Sequence, residues 1–386
     1  MNSNIEKDIN NAVEHFREML LEQYERNAAI AASQATNTDD AKTIVIGLVP
    51  GDGIGPVIMK ETKAVLEKLL ANELADGKVA FKDIEGFTLA ERLAKERTVP
   101  DEVLAQLLEC NVILKGPTTT PNAAMGGPNL ESANVFLRKK LDLFANVRPV
   151  KLPTEGIDWT FFRENTEGEY ALGSKGIRIG EDLAVDFKVT TKEGSKRIAR
   201  AAYEFARNNG KKRVSIVTKA NIMKNTDGDF QNICLEIAKE YPEITTDTWF
   251  VDIMAANLVN KDIRNQFEVF VLPNLYGDII TDEAAQIQGG VGTAGSANIG
   301  SRYAIFEAIH GSAPRMVEEG IAHLANPASL MTAAVLMLRH IGMDDKASKL
   351  ESAIAAANDE LGSKMTGLPG GSSCADFSKL VLAELK

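Results

Sequence analysis

The stretch "IVIGLVPGDGIGPVIMKE" (Ile44–Glu61) runs an apolar segment into three glycines and then into a helical pattern. Its reading decides which α/β fold to expect. Strand, glycine-rich turn and helix together make the layout of a dinucleotide-phosphate cradle. The spacing here, Gly51, Gly53 and Gly55, does not fit G-x-G-x-x-G, and Pro56 stands where that motif still needs a backbone N–H. A tight strand-to-helix turn accounts for the same residues, so the choice rests on the remainder of the chain.

Outward from this turn, short apolar runs alternate with helical patterns. "TIVIGLV" reads as a buried strand, "PVIMKETKAVLEKLLAN" as a helix with proline in its first turn, "VAFKDIEGF" as a strand, "PDEVLAQLLEC" as a helix and "NVILKGP" as a strand. The rhythm returns in "SKRIARAAYEFARNNG" before "RVSIVTKA", and in "FQNICLEIAKEYP" before "DTWFVDIM". Such alternation predicts an α/β protein with a largely parallel sheet covered by helices. Ahead of it, Ile5, Ile9, Val13, Phe16, Leu20 and Tyr24 recur at steps of three and four, one apolar stripe of a helix, before the polar breaker "SQATNTDD". That stripe predicts an arm packed on its own protein or on a partner subunit.

With 386 residues, 44% of them hydrophobic, the chain can bury a large core in two to three domains. A net charge of -11 argues against non-specific binding to nucleic acid or to anionic membranes, both of which need excess Lys and Arg. Cys110, Cys234 and Cys374 are far apart and odd in number, which suggests neither a disulfide framework nor a zinc site. No apolar run reaches the roughly 18–20 residues of a membrane span, and the acid-rich start resembles neither a signal nor a transit peptide. A cytoplasmic location is the expectation.

Polar clusters fall at element ends, where α/β proteins carry function. Arg138 and Arg148 in "SANVFLRKKLDLFANVRP" and Arg163 in "FFRENTEGEY" would together suit a small polycarboxylate, because each guanidinium offers a planar fork. In "NLYGDIITDEAAQIQGG", Asp278 and Asp282 stand four apart and share one side if the segment is helical. Two such acids suit a hard divalent cation such as Mg²⁺, to which Asp252, ending the run "WFVDIM", could add a third oxygen ligand. Lys219 follows a strand with Asn221 two places on, and "FEAIHGSAP" ends in His310 and Gly311, where backbone N–H groups could meet phosphate.

These stretches in their chain order, with "KGPTTTP" and "GDGIGP" ahead of them, resemble the β-decarboxylating dehydrogenases acting on isocitrate, 3-isopropylmalate, homoisocitrate or tartrate. The resemblance covers about Ile44 to Leu385. It implies that family's own two-domain fold, a large mixed sheet flanked by helices and not a Rossmann fold, which makes "GDGIGP" a turn. Beyond the helical extension at 1–42, it further implies a large cofactor-side domain from 43–143 and 289–386, and a small domain at 144–288 with a dimer-forming segment.

Isocitrate-type members carry Ser-x-Asn-x-x-x-Arg, matched here by Ser132, Asn134 and Arg138, and "RENTEGEY" is similar to the same type. The resemblance therefore implies oxidative decarboxylation of isocitrate to 2-oxoglutarate, a step of the tricarboxylic acid cycle. Ser132, Asn134, Arg138, Arg148, Arg163 and Asn221 would bind substrate. Tyr170, Lys219 and Asp278 would handle protons, and Mg²⁺ or Mn²⁺ would sit on Asp278, Asp282 and a neighbouring subunit's Asp252. A homodimer with shared sites follows. The dinucleotide would lie along Thr120, His310, Gly311 and Asn326. Arg315 stands where NAD-dependent relatives place Asp and could serve a 2'-phosphate, yet the Lys-Tyr pair of bacterial NADP enzymes is absent. NAD and NADP stay open, leaning to NAD. The alternatives are a sister dehydrogenase for 3-isopropylmalate, homoisocitrate or tartrate, and, from another class, a non-catalytic regulatory subunit.

Overall fold

A computed structural model describes residues 3–32, 43–121, 130–173 and 175–385. The polar breaker read at 33–40 lies outside the described residues. The fold is α/β, and Cα packing divides the chain into two compact units, 36–151 with 284–386, and 1–35 with 152–283.

In the first unit, neighbouring strands are Val79–Asp83, Ile44–Val49, Val112–Lys115, Ala304–Ala308, Gly295–Ile299 and Ala145–Leu152. The first four run parallel, but Gly295–Ile299 is antiparallel to both its neighbours. The largely parallel sheet predicted from alternation is thus present, and this one strand makes it the mixed sheet that the resemblance implies. Only Gly300–Tyr303 joins Gly295–Ile299 to Ala304–Ala308, and a parallel return needs a crossover of a dozen or more residues.

The second unit orders Ile157–Glu164, Val269–Leu272, Arg213–Thr218 and Thr245–Phe250, all parallel, beside a separate antiparallel hairpin of Ile177–Ile179 and Leu183–Val185. Helix Lys192–Asn208 buries Ile198, Ala199, Ala202, Tyr203 and Ala206, one stripe at helical spacing, and starts where the Thr191 hydroxyl accepts from the N–H of Gly194 at 3.1 Å. Phe161 and Phe270 stack at 4.3 Å on adjacent strands, with Trp159 edge-on to both.

The glycine turn is consumed by its own protein. A Cβ on Gly51 would lie 2.2 Å from the Pro117 carbonyl oxygen, one on Gly53 1.9 Å from that of Ser312, and one on Gly55 2.2 Å from that of Pro50. Three backbones thus meet where side chains cannot fit. Asp52 accepts from the N–H groups of Leu89 at 2.6 Å and Thr119 at 2.8 Å and from buried Arg92 at 2.9 Å. The loop's polar capacity locks neighbouring loops together, and helix Gly55–Leu69 follows with Pro56 in its first turn.

Helix Ser3–Ala32 meets its own chain by its more polar side. Its inward side carries Asp8, Ala12, His15, Met19, Gln23 and Arg26, and of these only Met19 is fully buried. The apolar stripe faces out, with Val13, Leu20 and Tyr24 at 61%, 54% and 77% exposure. Phe16 still stacks on Phe187 at 5.0 Å, and Met19 packs against Ala171 and Leu172. The helix is therefore held to its unit largely by polar contacts.

Candidate active site

In the first unit, helix Ala133–Lys140 begins after Ser132 and carries Asn134 and Arg138 one turn apart, hence on one face. Asn134 accepts from the Thr118 hydroxyl at 3.0 Å. Arg138 reaches Glu307 at 3.4 Å, while Lys115 donates to the other carboxylate oxygen at 3.0 Å and Asn298 to the first at 2.8 Å. Burial alone would raise the Glu307 pKa, but the Lys115 and Arg138 cations and these hydrogen bonds hold it down at about 2. The strand core thus presents a fixed anion that orients Arg138.

Glu307 and Lys115 went unnoticed in the sequence. The available signal was a charged residue inside each of two apolar runs, "AIFEA" and "VILK", which pair as neighbouring strands. Arg148 does not end its apolar run as read. It lies buried within strand Ala145–Leu152, which continues through Pro149 because the ladder to Gly295–Ile299 covers only Ala145, Asn146 and Val147.

On the expected dinucleotide side, Thr120 is exposed and Asn326 accepts from the N–H of Ala328 at 2.9 Å. His310 falls in the turn just past strand Ala304–Ala308, its Nδ1 3.0 Å from the Gly311 carbonyl oxygen. Burial lowers its pKa, and its buried Nε2 has no hydrogen-bond partner among the described residues. Open space lies where a Gly311 Cβ would project. A donor or acceptor awaiting a partner beside free space fits a bound nicotinamide dinucleotide. Arg315, 85% exposed, pairs with Glu319 at 2.5 Å in the short helix Pro314–Glu318.

In the second unit, Arg163 ends strand Ile157–Glu164 and meets helix Asn274–Gln288. Its Nε and one terminal nitrogen donate to the Asn274 side-chain oxygen at 3.0 and 2.7 Å, and its other nitrogen pairs with Asp278. A Cβ on Gly277 would lie 2.5 Å from the Arg163 Cγ, so glycine is what lets the arginine stem cross the helix. Tyr170 donates its hydroxyl to the second Asp278 oxygen at 2.6 Å, and the Arg163 guanidinium lies 5.2 Å over the Tyr170 ring. Asp278 thus joins two other predicted residues, Arg163 and Tyr170. Asp282, one turn on, is exposed on the same helix face. Two carboxylates one turn apart, Asp282 exposed and Asp278 part-exposed, match the hard-oxygen set that Mg²⁺ takes alongside waters and ligand oxygens.

Asp252 does not end a strand. The strand stops at Phe250, and Asp252 sits in the first turn of helix Val251–Val259, where the helix dipole favours a negative charge. It pairs with Lys219 at 2.5 Å, and this hydrogen bond, more than any other cause, lowers its pKa. Among the described residues, no three His, Cys, Asp or Glu side chains gather as a metal group, so Asp252 does not join Asp278 and Asp282 within one chain. Buried Asp227 accepts from the Lys219 N–H at 2.7 Å and fixes that turn, and Asn221 next to it is exposed.

Residues 45–381 match the family described as isocitrate/isopropylmalate dehydrogenase. The chain is 41% identical over 318 residues to the isocitrate dehydrogenase [NADP] of Rickettsia prowazekii, covering 80% of this chain but 62% of that protein's length. It is 37% identical over 348 residues to the mitochondrial isocitrate dehydrogenase [NAD] subunit alpha of Macaca fascicularis, covering 88% of this chain and 95% of the relative. The crystal structure of isocitrate dehydrogenase from Methylococcus capsulatus superposes with a TM-score of 0.76 at 35% identity, over 89% of this chain and 99% of that one.

Proposed function

The chain belongs to the isocitrate/isopropylmalate dehydrogenase family, and on that premise we propose that it converts isocitrate to 2-oxoglutarate and CO₂ with a nicotinamide dinucleotide and Mg²⁺ or Mn²⁺. The observation that carries isocitrate over its sister acids is the polar set of Ser132, which precedes one short helix, and Asn134 and Arg138 on it, with Arg138 oriented by Glu307. A hydroxyl and an amide there suit a third carboxylate. Against an isopropyl group they would be desolvated without partners.

Arg138, Arg148 and Arg163 hold carboxylates, and Ser132 and Asn134 read the third. Asp278 and Asp282, with Asp252 of a second subunit, would hold the divalent ion, which when bound supplies the Lewis acidity that eases loss of the 2-hydroxyl proton and favours charge on that oxygen. The dinucleotide, when bound along Thr120, His310, Gly311 and Asn326, supplies the acceptor for the C2 hydride. Lys219 of that second subunit, paired with its Asp252, takes the hydroxyl proton as C2 is oxidised. The bond from C3 to its carboxylate then breaks, its electrons pass to the C2 oxygen, and Tyr170, with Asp278 as relay, returns a proton to C3.

A homodimer is part of this reading, supported by the Lys219–Asp252 pair standing apart from Asp278 and Asp282 in one chain, and by the outward apolar stripe of helix Ser3–Ala32. Relatives of both NAD and NADP type match the chain. Exposed Arg315, already paired with Glu319, leaves NAD slightly favoured. The deciding measurement crosses isocitrate and 3-isopropylmalate with NAD and NADP in the presence of Mg²⁺. The expected result is a kcat/KM for isocitrate at least about 100-fold above that for isopropylmalate, and preference for the branched apolar acid overturns the proposal.

A further inference from the structure

Helix Ser3–Ala32 lies outside the family match, which begins at residue 45, yet its polar side grips the segment that carries Tyr170. Arg26 donates through one nitrogen to Glu167 at 3.1 Å and through another to the Thr166 hydroxyl at 2.7 Å. Met19 is buried against Ala171 and Leu172, directly after the tyrosine, and His15 Nε2 lies 3.0 Å from the Lys175 carbonyl oxygen. The helix therefore holds this segment on both sides of Tyr170.

The contacts continue inward. The Glu167 carbonyl accepts from the Asn274 side chain at 2.9 Å, and the Asn274 oxygen accepts from Arg163 at 3.0 and 2.7 Å. Arg163 and Tyr170 both end on Asp278. At the outer end, Thr166 also accepts from Arg197 at 3.0 Å and donates to buried Glu164 at 2.7 Å. Arg26 thus adds a second cation to a group containing two buried carboxylates, Glu164 and Glu167. Removing one partner of a buried charged bond costs more than the bond contributes, because the other is left undercompensated.

We propose that Arg26 is a positioning residue for the dehydrogenase reaction, pinning Thr166 and Glu167 so that Tyr170 and Arg163 meet Asp278 in register. The N-terminal helix is on this reading an outer layer of the active-site wall. The inference rests on the proposed isocitrate chemistry for its kinetic readout and on geometry alone for its structural one.

The test compares the full-length wild type with Arg26→Ala, Arg26→Lys and, as a control on the same helix, Arg17→Ala, whose partner Glu14 is exposed. Arg26→Ala should lower kcat/KM for isocitrate about ten-fold while leaving KM for the dinucleotide unchanged. Arg26→Lys, keeping the charge and one of the two bonds, should recover part of the loss, millimolar methylguanidinium should restore part of the Arg26→Ala activity, and Arg17→Ala should match wild type. Hydrogen exchange should accelerate in Arg26→Ala at residues 166–173 and at the start of helix Asn274–Gln288. Unchanged isocitrate kinetics with unchanged exchange, or a parallel loss for both substrates equalled by Arg17→Ala, overturns the proposal. If the wild type turns over another acid of the family, the same comparison is read with that acid. If it turns over none, the exchange pattern decides alone, so failure of the functional reading and failure of this one are told apart.

Discussion

Glu307 and Glu164 are both glutamates buried on core strands, one in each compact unit, and they fall on opposite sides of the ordinary carboxyl pKa. Burial pushes both upward. At Glu307, Lys115 and Arg138 outweigh it and bring the value to about 2. At Glu164, neighbouring Glu167 adds to burial, and the value reaches about 7 although the N–H and hydroxyl of Thr166 donate to the carboxylate. Depth does not decide the sign; the company of charges does. One unit holds a fixed anion that orients Arg138, and the other holds a carboxyl whose ionised form burial and Glu167 disfavour, where the wall supporting Tyr170 begins.

The largest effect expected from this contrast follows from removing the fixed anion. Glu307→Ala leaves Lys115, 1% exposed, as a buried cation without its carboxylate. Urea unfolding should show a loss of about 3–5 kcal/mol, since breaking a buried pair strands the remaining charge. A loss below about 1 kcal/mol would mean that water reaches the cluster and that the contrast with Glu164 is not one of neighbours.

The two acids should also bend the pH dependence of stability in opposite windows. The depressed pKa of Glu307 contributes stability that is present above the unfolded value, near 4.5, and is lost as pH falls toward about 2, on the order of 3 kcal/mol. Glu164 has the reverse sign. Between about 4.5 and 7 the folded state binds the extra proton, so stability declines as pH rises through that interval. Glu307→Gln should flatten the acid limb alone, and Glu164→Gln the near-neutral slope alone. A single variant that altered both limbs would show the two groups to be coupled.

How much of this was legible beforehand depends on the reach of each interaction along the chain. The alternating elements follow from local apolar periodicity, and the Asp278 and Asp282 pair needed only the helical repeat of its own segment. Lys115 and Glu307 could not be paired in advance, because their meeting is set by strand order across 192 positions. The antiparallel strand Gly295–Ile299 turned on a connection too short for a crossover, a feature visible in the sequence but overridden by the surrounding rhythm. The N-terminal stripe was legible as a helix face, but not which surface it meets. Periodicity reports where apolar residues cluster, while Arg26, His15 and Met19 decided which side met the chain. In "GDGIGP" the glycines serve loops near Pro117 and Ser312 that local spacing cannot reveal.

A smaller effect is expected at Gly277, where the Arg163 stem crosses the helix. An alanine Cβ would press on Arg163 Cβ and Cγ, and overpacking of this kind costs about 1–3 kcal/mol. Gly277→Ala should therefore lower isocitrate turnover more than stability, because the displaced guanidinium is the one paired with Asp278. Thermal unfolding measured beside steady-state rates separates the two.

The smallest effect extends the comparison to a charge that was never taken out of water. Arg315 pairs with Glu319 one helical turn away, at 85% and 44% side-chain exposure. With solvent screening both partners, an exposed pair at this spacing contributes about 0.3–0.5 kcal/mol. Arg315→Ala should move stability by no more than that, and it should leave KM for NAD unchanged, because a ribose hydroxyl needs no cation. If this guanidinium meets a 2'-phosphate, the same substitution lowers kcat/KM for NADP about ten-fold or more, with a dependence on salt that the buried clusters lack. A change in NADP use with no change in stability would assign Arg315 to dinucleotide choice, whereas equal indifference to both dinucleotides would leave it an exposed partner of Glu319.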